Sequence, residues 1–306
     1  MPRLLVRSGG TVTGGCFMAA FCFSRLAFRS LLTLVLTGAG FFAALPASAA
    51  PARIIILRHG EKQDAYRLCP VGNERAQALA AQYLGKGAKD SLFPAGTAPA
   101  AILAVTLHTM ELAAPAAATW ALPVVMYTAL PEAPTSPRKK RAKAAAATIA
   151  PPAPPPSAPA AASTEQKPKT GGRDPGKRAR KADFTQLVTS RTQQAVHDVL
   201  TDPRFTGQTV VMVWEHDHIA DAALEAANPG QEVTLRQLLH LGALPDVPAS
   251  WPSATYDYFW IVDLDPDGKP VRFTMQRQVF DGAFATLPSN EWGAPNGLTA
   301  QTRCAL

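Results

Sequence analysis

Runs of consecutive apolar residues recur along this chain: RIIIL (53–57), AAILAVT (100–106), PVVMY (123–127), TVVMVW (209–214) and YFWIVD (258–263). Most of them do not alternate with polar residues. A strand with one wet face alternates, whereas a strand covered on both faces reads as an unbroken apolar run. VRFTMQ (271–276) fits a further strand at an edge. Helical periodicity lies between the runs. In VGNERAQALAAQYLG, the residues Ala76, Leu79, Ala80, Tyr83 and Leu84 share one face, and Gly85 follows as a stop signal. HTMELAAPAAATW is helical with Pro115 as a kink or break, and RTQQAVHDVL (191–200), IADAALEAAN (219–228) and TLRQLLHLG (234–242) are further helical stretches. Strands alternating with helices predict a layered α/β domain with a mostly parallel sheet.

The chain has 306 residues, 47% of them hydrophobic, enough for one large core. Its net charge of +7 is unevenly placed. Residues 134–183 hold twelve Lys/Arg against three Asp/Glu, a net of +9, and residues 1–50 hold four arginines and no acid. The remaining body is therefore about −6, which argues against specific nucleic-acid binding by the folded part. Segment 134–183 is rich in Pro, Ala, Lys and Arg and has almost no large apolar residue. Ordering it would bury too little surface to offset the entropy, so it reads as a disordered insertion within a single domain of residues 50–306. Its charge suits an anionic envelope surface. Residues 1–49 read as a signal peptide: arginines, then the fifteen-residue stretch LLTLVLTGAGFFAAL, then small residues around Ala49. That stretch is short for a membrane span. An exported chain, periplasmic or secreted, would retain only Cys69 and Cys304, an even pair suited to a disulfide.

Two of the apolar runs end in histidine. The first continues as Arg58-His59-Gly60-Glu61-Lys62, the second as Glu215-His216-Asp217-His218. In an open α/β sheet, ligands bind beyond the carboxyl ends of the strands. If both strands lie centrally in one parallel sheet, His59 and His216 meet in one crevice. Arg58 then offers a fixed guanidinium fork to a phosphate-like group, and Gly60 lets the backbone pass close to the ligand.

This pattern resembles the histidine phosphatase superfamily, the phosphoglycerate-mutase-like proteins. The shared features are the Arg-His-Gly strand end in LRHGEK, the spacing of Leu68 and Gly72 before the first helix, the later histidine at a second strand end, and YDYFWIVDL near the end. The resemblance covers most of residues 52–290, apart from the insertion. It implies a three-layer α/β/α sandwich and a phosphate-monoester hydrolase working through a phosphohistidine on His59. Arg58 and His216 would hold the phosphoryl oxygens. The family's second phosphate-binding arginine is missing: its place reads AVTLHTMELAAP, where His108 is nearest, beside Thr106 and Thr109. Lys62 can compensate. For the general acid the resemblance leaves Asp217 and Glu132 open, with Glu111 as a third choice. The absent arginine also leaves an alternative open, a phosphate- or phospho-ligand-binding protein with weak or no turnover on the same fold. The expected partner is a small phosphorylated substrate or inorganic phosphate.

His216, Asp217 and His218 hint at a metal site, but no third and fourth ligand cluster accompanies them, so no metal and no cofactor are expected. His197 and His240 read as structural, and Arg191 as a partner in an ion pair.

Overall fold

The computed structural model describes residues 50–130, 175–295 and Cys304. The signal-like segment, Glu132 and most of the basic insertion lie outside the described residues. In chain order the elements are β1 (Arg53–Arg58), α1 (Pro70–Leu79), β2 (Ala101–Ala104), α2 (Leu107–Thr119), β3 (Val124–Met126), α3 (Pro175–Thr201), β4 (Thr209–Trp214), α4 (His216–Ile219), α5 (Ala222–Ala227), α6 (Leu235–Leu238), β5 (Tyr258–Leu264) and β6 (Pro270–Arg277).

The strands form one six-stranded sheet in the order β3-β2-β4-β1-β5-β6. Strands β3, β2, β4 and β1 run parallel; β5 is antiparallel to both β1 and β6. The apolar runs are covered on both faces, as their lack of alternation requires. Ile54, Ile56, Met212 and Trp214 pack on one side with Val188, Val196 and Val199 of α3. Ile55, Leu57, Val211 and Val213 pack on the other with Leu79 of α1 and Leu112 of α2. The result is a three-layer α/β/α sandwich. Among the described residues no helix is long and apolar enough to cross a membrane.

Register fixes the site. Strands β1 and β4 pair from Arg53↔Thr209 to Arg58↔Trp214, and the His59 amide still donates to Trp214 O at 3.0 Å. The two histidine-bearing strand ends therefore leave the sheet side by side. Strand β2 flanks β4 on its other side, with Ala104 opposite Val213, and delivers the start of α2 to the same edge.

Several local expectations change. Helix α2 continues through Pro115; burial of Leu112, Ala113, Ala116 and Ala117 on the sheet outweighs the one backbone bond that proline removes. Helix α3 starts at Pro175, so residues 175–183 belong to a helix and not to the insertion. Within α3 no proline follows Pro175, and Lys, Arg and Ala are strong helix formers. The single helix expected over 219–228 is divided, because the Asp221 carboxylate accepts from the Ala223 and Leu224 amides and starts α5 afresh. Cys69, at the N-cap of α1, is disulfide-bonded to Cys304, with their Cα atoms 5.1 Å apart.

Candidate active site

The residues after β1 divide between chemistry and construction. Arg58 and His59 are buried in the site, whereas Gly60 and Glu61 hold α1. A Cβ on Gly60 would lie 3.1–3.3 Å from Leu112, Gly72 and Leu68. Gly60 thus has a packing reason to be glycine, in addition to the expected one of room for a ligand. Gly72 is tighter still: a Cβ there would meet Glu61 O at 2.3 Å. Glu61 itself forms a buried ion pair with Arg75 of α1, at 2.6 Å. The leucine–glycine spacing is therefore a packing rule for docking α1 beneath the strand end.

His59 has no exposed surface. Its Nδ1 donates to Gly60 O at 2.7 Å, which fixes the tautomer and leaves the lone pair on Nε2. Arg58 Nη2 donates to that Nε2 at 3.2 Å and to His216 Nδ1 at 3.4 Å. A guanidinium can only donate, so both imidazole atoms are acceptors. Burial and then the Arg58 charge push the His59 imidazole well below its ordinary range. The same two causes push His216 down to about 4. Both rings are therefore neutral near pH 7. Arg58 is locked in place: its Nη1 donates to Ser253 O and Thr255 O at 2.9 Å and to Pro252 O at 3.2 Å, and the Tyr256 ring lies 3.9 Å beneath its guanidinium.

The third side of the site comes from the start of α2. His108 brings its ring centroid to 4.9 Å from that of His59. Its Nδ1 donates to Ala65 O at 3.2 Å and its Nε2 faces Glu215 Oε1 at 2.5 Å. The Thr106 hydroxyl donates to the same Glu215 oxygen at 2.9 Å. Glu215 Oε2 lies 3.6 Å from His59 Nε2 and 3.8 Å from Lys62 Nζ. Burial by itself would raise the Glu215 carboxyl, but the bond to His108 and the charge of Lys62 work against it, and the group is held well below the usual carboxylate range.

Of the expected site residues, the structure thus assembles Arg58, His59, Lys62, His108 and His216. Asp217 borders the cluster, half-buried, and His218 Nδ1 bonds it at 2.9 Å. Burial works against ionisation of Asp217, yet the hydrogen bond from His218 holds it below its ordinary value. Glu111 accepts from the Leu68 amide at 2.7 Å and serves the loop. Glu132 lies outside the described residues. Sequence reasoning gave no site role to Glu215 or Thr106 and did not find Tyr256. Glu215 carried a readable signal, since it is the first residue beyond a fully buried strand; Tyr256 sits in a loop without periodicity and had none.

His59, His108 and Glu215 bring three donor atoms within 4.8 Å of one another, a set of the kind that binds divalent cations. Arg58 and Lys62 direct fixed positive charge at the same atoms, and that balance favours an anion. His218 is turned away, with its Nε2 against Thr189 and Thr185.

No family model matches the chain, and no curated protein matches it. Among solved structures it has likeness to a mycobacterial glucosyl-3-phosphoglycerate phosphatase, at 16% identity over 74% of this chain and 98% of that one, with a TM-score of 0.33. The same enzyme in complex with inorganic phosphate gives 15% identity, 77% and 99% coverage and a TM-score of 0.33. A protein described as mycobacterial hydrolase 1 gives 18% identity, 76% and 98% coverage and a TM-score of 0.32. At such scores the likeness is slight, and the chemistry has to be argued from the residues themselves.

Proposed function

We propose that this protein is a phosphate-monoester hydrolase of the histidine phosphatase kind, with His59 as the phosphoryl acceptor. One observation carries the reading. A neutral, buried imidazole has Nδ1 tied to a backbone carbonyl and its Nε2 lone pair marked by the N–H of an immobile arginine. In the first step that lone pair attacks phosphorus and the P–O bond to the alcohol breaks. The leaving oxygen takes a proton from an acid. Asp217 is the acid bordering the site among the described residues, and a bound dianion would raise its pKa toward that role. Glu132 keeps its place as the other choice. In the second step water attacks the phosphohistidine and gives its proton back to that acid, the P–N bond breaks, inorganic phosphate leaves, and Nε2 recovers its lone pair. Arg58 and the N–H of His216 bear on the phosphoryl oxygens throughout, so the work is mostly positioning and charge compensation.

The substrate class is phosphate monoesters of small molecules. Export fits this reading: the leader-like sequence and the Cys69–Cys304 bond both suit an oxidising compartment. The test is turnover of an aryl phosphate by the parent and by His59→Ala. Activity in the parent and none in the variant supports the proposal. Undiminished activity in His59→Ala contradicts it, and phosphate binding without turnover in the parent would leave a phospho-ligand-binding protein instead.

A further inference from the structure

The buried carboxylate of Glu215 is unexpected in a site built for anions. Its Oε1 accepts from Thr106 and faces His108, while Oε2 faces Lys62 and the lone-pair atom of His59. Three of the groups that would greet an incoming phosphoryl oxygen already have a negatively charged partner. Reacting atoms approach to about 3–3.5 Å before bond formation. A phosphorus poised on His59 Nε2 would therefore bring its oxygens into the space where Oε2 lies, 3.6 Å from that nitrogen. Two anionic groups at such range repel strongly in a buried setting. The start of α2, which presents the positive end of its dipole here, is likewise engaged by the same carboxylate.

We propose that Glu215 is the specificity-determining residue of this site: its carboxylate stands in for a phosphoryl oxygen and has to be displaced before a phosphoryl group reaches His59. The proposal rests on the reading of His59 as phosphoryl acceptor. It has a consequence for substrate class. Inorganic phosphate and very small esters offer only their phosphoryl contacts against this displacement, so they bind weakly. A monoester with a larger alcohol portion adds contacts remote from phosphorus, and such remote binding energy can drive rearrangement at the reacting centre. The site thus selects extended phosphate monoesters over free phosphate, and release of the inorganic product is assisted by return of the carboxylate.

The bland alternative is that Glu215 serves only to hold His108. The two are separated by titrating inorganic phosphate calorimetrically into the parent, Glu215→Gln and Glu215→Asp, each checked for its melting temperature. Glutamine keeps the shape and removes the charge; aspartate keeps the charge and withdraws it by one methylene. Both variants are expected to bind phosphate more tightly, Glu215→Gln by about ten- to a hundredfold. Equal or weaker binding in folded variants overturns the proposal and leaves the His59 reading standing. Failure of both variants to fold also overturns it, since Glu215 would then be needed for stability and could not be a displaceable group. No phosphate binding by the parent or by either variant overturns the anion-site reading itself, and this proposal with it.

Discussion

At the scale of single residues, the chemistry is set by what each polar atom faces. His59 keeps Nε2 unprotonated because Gly60 O takes its only N–H and Arg58 can do nothing but donate to it. His216 plays the complementary part, with Nδ1 accepting from Arg58 and Nε2 left to donate. Removing that donor should cost about 10²–10³ in turnover, the usual effect of losing one hydrogen-bond donor to developing charge; kinetics of His216→Ala on an aryl phosphate check this. His216 also links stability to pH. It titrates near 4 when folded and near 6.5 when unfolded. Between those values the unfolded chain binds more protons, so stability rises with pH across this window and is lost on acidification. His216 contributes at most about 3 kcal/mol of this, and His59, shifted the same way, adds to it. Urea denaturation between pH 7 and pH 4 should show the loss, with a shallower slope in His216→Asn. A stability that holds level on acidification would contradict the assignment.

At the scale of elements, the sequence was most legible where one physical rule acts alone. Unbroken apolar runs gave β1, β4 and β5 nearly to the residue, and the two strand-end histidines followed from them. Rules that depend on packing between elements were not legible. Gly60 and Gly72 are adjacent in space because α1 crosses the strand end, and no local pattern shows that. Glu61 looked like part of a charged motif, but its partner Arg75 lies fourteen residues away inside α1. That pair is buried on both sides. Replacing Arg75 by methionine should therefore destabilise the protein by about 3–5 kcal/mol, the usual cost of leaving one buried charge without its partner. Glu61→Gln combined with Arg75→Met should recover part of that loss. Gly72→Ala should be severely destabilising, because the clash is with backbone and has no flexible side chain to absorb it. Thermal melts of the three variants rank these effects; a melting temperature for Gly72→Ala equal to the parent's would contradict the packing account.

At the scale of the whole molecule, one sheet brings three loops to its carboxyl edge, and each supplies part of the site. Composition predicts that the basic segment is a disordered insertion, and closing such a loop costs little. Deleting residues 134–173, short of α3, should leave the melting temperature nearly unchanged and abolish any salt-sensitive attachment to anionic vesicles. The Cys69–Cys304 bond spans 235 residues of sequence, and a loop of that length restricts the unfolded chain by up to about 5 kcal/mol on chain-entropy grounds. Cys69→Ser with Cys304→Ser should accordingly melt several degrees lower. The site as a whole has one chemical signature. Acid lability rules out slow acidic handling of a phosphohistidine, so the intact protein is mixed with an aryl phosphate, quenched within milliseconds in alkali and weighed by mass spectrometry. The account predicts a transient gain of one phosphoryl group, mapped to His59 and absent from His59→Ala; turnover with no phosphorylated protein at any time, or with the phosphoryl group on another residue, would contradict it.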